Sequence, residues 1–338
     1  MKNDMARENG GVSDVIPVVF AANDQFVPYF AACLQSVLRH TSSEHRYDLV
    51  LFHTDVREES RSRLLDMAAP YPNVSLRFLD TGRFLQDYKL KAKGHITGET
   101  YYRFLIQDLL PEYDKVLYLD CDLIVNADVA ALYRTDVEGY LLAAARDPEF
   151  LGHLNGADPK IQKYILSKLR MRRPENYFQA GVILFNEKEM RKAHTLEQWL
   201  MLASRPFRYN DQDVLNLACE GRVRFLDMSW NLLTDCNHTR VNLVISYAPE
   251  EIREAYLAAH EAPKIIHYAG HRKPWQKPTE DMAGYFWDAM RATPFYETAL
   301  YNMASFSAEE TYKNKSLIWR VARKVKQLLQ RRRKPNAI

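Results

Sequence analysis

Two carboxylates separated by one residue close a short apolar run, in which Val116, Leu117, Tyr118 and Leu119 lead into Asp120, Cys121 and Asp122. Residues two apart on an extended backbone point the same way, so Asp120 and Asp122 are expected to converge at a strand end while Cys121 faces away. Paired oxygen donors of this kind suit a hard divalent cation that neutralises a diphosphate. The carboxyl ends of strands are also where open α/β sheets bind ligands. The pattern implies an enzyme handling a nucleotide-diphosphate compound. Asp-x-Asp by itself also occurs in solvated turns and helix caps, so the reading leans on three further segments.

The first of these runs from Tyr177, Phe178, Gln179, Ala180 and Gly181 into Val182, Ile183, Leu184, Phe185 and Asn186. The second is Asn210, Asp211, Gln212 and Asp213 ahead of Val214 and Leu215, where Asp211 is either a helix cap or a ligand group and Asp213 fits a first helical turn. The third passes from Ile265, Ile266, His267 and Tyr268 through Gly270 to Lys273, Pro274 and Trp275. A lone histidine in an apolar run is commonly a core residue, but a strand end followed by Gly and Lys is a ligand position.

Positioning these groups requires a sheet. Apolar, β-branched runs recur at Val15 to Phe20, Leu49 to Phe52, Val74 to Leu79, Val116 to Leu119, Leu141 to Ala145 and Val182 to Phe185. Helical patterns lie between them at Phe30 to Leu38, Glu58 to Ala68, Tyr101 to Leu110 and Lys188 to Leu202. Strands alternating with helices predict βαβ units, a mainly parallel sheet and a Rossmann-like α/β domain. No Gly-x-Gly-x-x-Gly follows the first strand, which argues against a dehydrogenase. That loop reads Ala21, Ala22, Asn23, Asp24, Gln25 and Phe26, a polar turn ending in an aromatic that could read a base by its edge and stack on its face, or simply cap a helix. Ala157 to Pro174 reads as a basic, helix-patterned excursion near the acceptor side. The prolines at 274 and 278 mark the end of the sheet domain, and helices are expected at Glu280 to Met290 and around Phe295 to Met303.

The chain has 338 residues, 47% of them hydrophobic, enough to bury a large core. Residues 1–13 lack the pattern of a signal peptide and no apolar run reaches membrane-spanning length, so a cytoplasmic protein is expected. Cys33, Cys121, Cys219 and Cys236 show neither pairing nor metal-finger spacing. The net charge of +3 hides an asymmetry: from Thr311 onward there are ten Lys or Arg and no acid, which leaves −7 on the rest. An acidic body is not a nucleic-acid footprint. In the tail, Leu317, Ile318, Val321, Val325, Leu328 and Leu329 share one helical arc of roughly 120°, with the basic residues mostly outside it. A basic amphipathic helix followed by Arg331 to Lys334 reads as a peripheral anchor on an anionic leaflet, or as a packing helix with a solvated basic face.

From about Val15 to Trp275 these segments, in this order, resemble the retaining glycosyltransferases of family 8, the group that includes bacterial lipopolysaccharide galactosyl- and glucosyltransferases and glycogenin. The resemblance is nearest to the lipopolysaccharide galactosyltransferase type, which also carries a basic C-terminal membrane-binding segment. It implies a GT-A type fold, a UDP-galactose or UDP-glucose donor, and Mn²⁺, with Mg²⁺ as the alternative, held by Asp120, Asp122 and His267. Gly270, Lys273 and His95 match diphosphate contacts. Ala21, Asn23, Gln25 and Phe26 would form the uridine site, with Cys121 among the donor contacts. Arg103, Asp147, Gln179, Ala180, Gly181, Asp211 and Gln212 would surround the donor sugar, as directed hydrogen bonds to vicinal hydroxyls require. Gly181 would let backbone approach the sugar, and Gln179 stands where the family more often has Asn or Ser.

Asp147, Asp211 and Gln212 are the candidate catalytic residues. At the position where a double displacement needs a carboxylate nucleophile stands the neutral Gln212, which implies front-face substitution. The resulting expectation is a hexosyltransferase acting on a cell-envelope glycan or glycolipid. It comprises a polar segment 1–13, a catalytic domain 14–276, a helical extension 277–312 packed on the body, and a membrane-associating tail 313–338. A self-glucosylating, glycogenin-like protein and an inactive donor-binding membrane scaffold are the alternatives. A nucleotidyltransferase would need a Gly-rich phosphate loop near the N-terminus, which is missing.

Overall fold

The computed structural model describes residues 15–82 and 98–313. Residues 1–13, His95 and the tail from 314 onward lie outside the described residues.

Among the described residues, seven strands build the main sheet: β1 (Val15–Ala21), β2 (Arg46–His53), β3 (Val74–Asp80), β4 (Val116–Leu119), β6 (Leu142–Arg146), β7 (Phe178–Phe185) and β8 (Val223–Phe225). Their order is β3-β2-β1-β4-β7-β6-β8. The pairs β1/β2, β2/β3, β1/β4 and β6/β8 are parallel, whereas β7 runs antiparallel to both β4 and β6. Every strand except β7 therefore points the same way. The carboxyl ends of β1, β4 and β6 consequently share one edge with the start of β7. Pro17 is tolerated in β1 because pairing with β4 begins only at Val18, so its missing N–H breaks no ladder.

β1 and β7 are apolar almost throughout, and β2 is buried from Tyr47 onward, because both sheet faces are covered. Val18 and Phe20 enter one core, under the helices Val27–Arg39 and Ala283–Arg291, while Val19 enters the other, with Trp199 and Tyr118. The expected helix at Glu280 to Met290 is found at Ala283–Arg291, tied to the first helix by Arg39 on Asp288 at 2.9 Å. The chain is helical again from 296 to 313.

Two expected helices differ. Lys188 to Leu202 is broken into Glu187–Ala193 and Leu196–Ala203, because Thr195 and Gln198 form a capping box that starts the second. Tyr101 to Leu110 is a 3₁₀ stretch, Gly98–Leu105, followed by one α-turn, Ile106–Leu109. The excursion after Ala157 is the helix Pro159–Tyr164, widened into a π-turn over Ile165–Leu169 and stopped by the left-handed Arg170. It is bound to the body where Tyr164 donates to Asp213 at 2.7 Å.

A second sheet, too short for period-based reading, carries half of the site. β5 (Leu123–Val125) pairs antiparallel with β10 (Ile265–His267), which pairs parallel with β9 (Leu232–Leu233). His267 stands opposite Leu123, so the register delivers it beside Asp122, and Tyr268 N–H donates to Asp122 O at 3.1 Å.

Candidate active site

The sheet edge opens into a cleft of about 640 Å³, within the usual range for a small-molecule site. Asp120 and Asp122 do not sit on the strand itself. β4 ends at Leu119 and a bend carries both carboxylates before β5 begins. Asp120 N–H donates to Gly181 O at 2.8 Å, which ties that bend to β7. Cys121 is buried and its thiol donates to Ala21 O at 3.2 Å, away from the carboxylates, although it also lines the cleft.

One ligand atom each from Asp120, Asp122 and His267 lies within 4.8 Å of the others. The histidine Nε2 is 3.3 Å from Asp122 and 3.9 Å from Asp120. Its Nδ1 lies 3.0 Å from Asn231 Oδ1, while Asn231 Nδ2 donates to Gln179 Oε1 at 2.8 Å. The amide is thereby oriented, Nδ1 must carry the proton, and Nε2 presents its lone pair to the carboxylates. The floor beneath is Gly181. A Cβ there would overlap the His267 ring and come within 3.0 Å of Asp120 Oδ2. Two carboxylates and a neutral imidazole around such a floor fit a divalent cation. Lys273 donates to Asp122 at 2.5 Å and to Tyr268 O at 2.6 Å. Burial would raise the Asp122 carboxyl, but the Lys273 charge outweighs it and holds the carboxyl well below the ordinary range.

The sugar-site candidates divide into two groups. Arg103 is 3% exposed and every nitrogen is occupied: Nη2 bonds Asp120 at 2.8 Å, Nη1 meets Asp211 at 3.1 Å and Ala180 O at 2.5 Å, and Nε bonds Thr100 O at 2.9 Å. Its ring contact is Tyr118, 4.2 Å from the guanidinium carbon. Arg103 thus holds carboxylates rather than offering free donors to a sugar. Gln179 likewise turns back, its oxygen accepting from Gly181 N–H at 2.5 Å and from Asn231. The extra methylene relative to Asn or Ser lets it reach its own strand. Gly181 is required by the His267 ring and the Asp120 carboxylate.

Asp147, Asp211 and Gln212 form the other group. Asp147 caps the helix Pro148–Leu154 through Phe150 N–H at 2.9 Å and accepts from Gln212 Nε2 at 2.9 Å. Gln212 Oε1 accepts from Ala180 N–H at 2.9 Å, so the amide is clamped at both ends. Burial and the neighbouring Glu149 charge push the Asp147 carboxyl up to about 6. Asp211 is not a cap, since the helix Asn210–Ala218 is capped at Tyr209. It accepts from the Thr100 hydroxyl at 2.5 Å, and burial, opposed by Arg103, raises it to about 6. Asp213, with no exposed surface, accepts from the Tyr164 and Tyr177 hydroxyls at 2.7 and 2.8 Å.

Ala21, Asn23 and Phe26 line the cleft, as do Gly270 and Lys273. Asn23 Oδ1 accepts from Phe26 N–H at 3.0 Å, so the turn reading and the ligand-facing position coexist. That turn sends Gln25 to the exterior, outside the lining residues. Phe26 packs edge-on against Tyr29 and Trp275. Residues the motifs did not reveal are Asn231, Glu149 and Arg240. Each acts by contacting another site residue, and nothing in its local sequence marks it.

The family model described as glycosyl transferase family 8 matches residues 17–279. Among curated proteins, a putative glycosyltransferase of Haemophilus influenzae is 23% identical over 275 residues, 78% of this chain and 74% of that protein. A lipopolysaccharide 1,2-glucosyltransferase of Escherichia coli is 27% identical over 216 residues, 60% of this chain and 54% of the other. Among solved structures, the bifunctional glycosyltransferase WbbM superposes with a TM-score of 0.77 at 30% identity, covering 88% of this chain but only 53% of that one. The galactosyltransferase LgtC, solved with donor and acceptor sugar analogues, gives 0.66 at 24% identity over 82% and 96%. The main sheet with its single reversed strand is the GT-A arrangement of these neighbours, and the chain belongs to glycosyltransferase family 8 and is a glycosyltransferase.

Proposed function

We propose that the protein transfers a hexose, galactose or glucose, from a UDP donor to a cell-envelope glycan or glycolipid with retention of configuration. The observation that carries this reading is the convergence of Asp120, Asp122 and His267 over Gly181, with Lys273 on the same carboxylate. A divalent cation held by those three ligands, Mn²⁺ or Mg²⁺, would stabilise the negative charge developing on the diphosphate leaving group. Lys273 adds a fixed positive charge at the same end. Ala21, Asn23 and Phe26 supply the wall against which a uracil would lie.

Gln212 is clamped between Asp147 and Ala180 and is too weak a nucleophile for a covalent intermediate. The step is therefore front-face: the C1–O bond to the phosphate breaks, a C1–O bond to the acceptor forms on the same face, and the departing phosphate takes the acceptor's proton. The amide oxygen of Gln212 stabilises the positive charge at C1. A glycosyl adduct isolated on a protein side chain would overturn this step.

The domain assignment follows, with catalysis in 14–276, an extension in 277–312 and an anchor in 313–338. Among the described residues no helix is long and apolar enough to cross a membrane. The enzyme would work in the cytoplasm, with its tail holding it on the inner leaflet. Removing residues 313–338 should lower binding to anionic liposomes while turnover of a soluble acceptor persists, and unchanged liposome binding would rule the anchor out. The donor is tested by UDP release from a panel of UDP-sugars with and without Mn²⁺. Release with one hexose donor that is lost in Asp122→Ala supports the site. Release that ignores both metal and Asp122 removes it.

A further inference from the structure

We propose that Glu149 and Arg240, an ion pair set into the cleft wall, are positioning residues that keep the diphosphate side of the cleft in register with the amide of Gln212. This rests on the reading of the cleft given above. Arg240 begins the short helix Arg240–Leu243 and is 7% exposed. Its Nε meets Glu149 Oε2 at 2.8 Å, its Nη1 donates to Thr234 O just beyond β9, and its Nη2 donates to Ala269 O at 2.7 Å. One guanidinium thus joins three segments that are distant in sequence.

On one side, the loop crosses Arg240 at Gly270. There φ is +106°, and a Cβ would lie 2.9 Å from Nη2. Three residues later Lys273 grips Asp122. On the other side, Glu149 lies in the first turn of the helix capped by Asp147, and Asp147 holds Gln212. Burial would raise the Glu149 carboxyl, but Arg240 overrides this and holds it down at about 2, so the pair is ionised. Side-chain contacts linked by two short backbone stretches, 269–273 and 147–149, join Asp122 to Gln212, with Arg240 at their middle.

The neighbouring backbone is consistent with a held geometry. Asn237 and His238 are both left-handed, at φ +58° and +52°. Such conformations persist when the surroundings over-determine them. Arg240 on Thr234 O, and Val241 N–H on Asp235 Oδ1 at 3.0 Å, fix the two ends of that strained turn. Losing Glu149 leaves the buried Arg240 guanidinium without its carboxylate partner and free to relocate, and small misplacements of reacting groups cost rate steeply.

The experiment compares wild type, Glu149→Ala, Glu149→Gln and Arg240→Lys in donor-dependent UDP release, with UDP affinity by calorimetry and thermal unfolding in parallel. Glu149→Ala is expected to lower kcat about tenfold while donor KM changes less than about threefold. Glu149→Gln, which can still accept from Arg240, should recover most of that loss. Arg240→Lys keeps the charge but loses the fork, so both kcat and UDP affinity should fall. The pH profile adds a readout that a purely structural role would not move. Asp147 faces Glu149 on its own helix, Arg240, the hydroxyls of Tyr177 and Tyr209, and Gln212. Removing the Glu149 charge should shift the acid limb to lower pH. Variants that lose thermal stability but keep wild-type kcat and acid limb would overturn the proposal. A wild type that binds UDP yet releases none from any donor would instead overturn the underlying reading, and the proposal with it.

Discussion

Replacing Gly181 by alanine tests whether the candidate metal ligands are set by the β7 backbone. The added Cβ overlaps the His267 ring and approaches Asp120 Oδ2 to 3.0 Å. Overpacking of this kind costs about 1–3 kcal/mol, and the question is what moves. β7 is buried between β4 and β6, with Val182 opposite Leu119 and Ile183 opposite both Tyr118 and Ala144. Shifting it would break ladder bonds on two sides. His267 is held at its ring by one hydrogen bond, to Asn231, worth about 1 kcal/mol. The ring should therefore yield, with a global stability loss of about 1 kcal/mol and a fall in metal affinity of about 10–100-fold, the range for disturbing a ligand's supporting contacts. Calorimetric titration of Mn²⁺ in the presence of UDP, beside thermal unfolding, separates the two. Metal affinity within twofold of wild type would refute the reasoning, whether stability held or collapsed.

Two further substitutions probe groups that no motif announced. Asn231→Leu removes the acceptor for the His267 Nδ1 proton and the donor to Gln179; Mn²⁺ affinity should drop about tenfold or more, and unchanged affinity would mean that the ring is oriented by packing alone. Glu187, 2% exposed, has one carboxylate oxygen without a hydrogen-bond partner among the described residues, and burial raises its carboxyl to about 8. The native state holds that proton where the unfolded chain has released it, so wild-type stability should decline as pH rises from about 4.5 to about 8. Glu187→Gln should flatten that decline and be the more stable protein, by a few kcal/mol, at pH 8–9. Parallel unfolding curves of the two proteins across this range would show that Glu187 is ionised in the fold.

Legibility followed the length scale of the interaction. Apolar runs stand out in a sequence, which is why β1, β2, β3, β4, β6 and β7 were readable, β3 even though it is an edge strand with only Leu76 buried. β5, β9 and β10 have three residues or fewer, so no period can accumulate. The helix after β7 read as one because its helical spacing runs on past Thr195; Thr195 and Gln198 break it through two hydrogen bonds to backbone. The chemistry-bearing types were visible because carboxylate, imidazole and ammonium are scarce in apolar runs. Their partners were not, since Asn231 and Arg240 are ordinary residues whose meaning comes from a neighbour far along the chain.

Gln179 and Arg103 show why a ligand-facing motif is an incomplete guide to contact. Both occupy positions where the sequence permits a sugar-binding donor, and both line the cleft. Both are nevertheless engaged by protein: Arg103 balances Asp120 and Asp211, and Gln179 orients Asn231, which orients His267. Two carboxylates this near each other repel, and only a buried guanidinium between them lets both stay where a ligand can reach them. The reversal of β7 makes this possible. It brings Gln179, Ala180 and Gly181 in at the start of a strand, beside the end of β4, so that the backbone of Ala180 and Gly181 meets Asp120, Arg103 and Gln212 directly. With β7 parallel to its neighbours, the same residues would lie at the opposite edge of the sheet, and the Asp-x-Asp pair would face solvent without a floor.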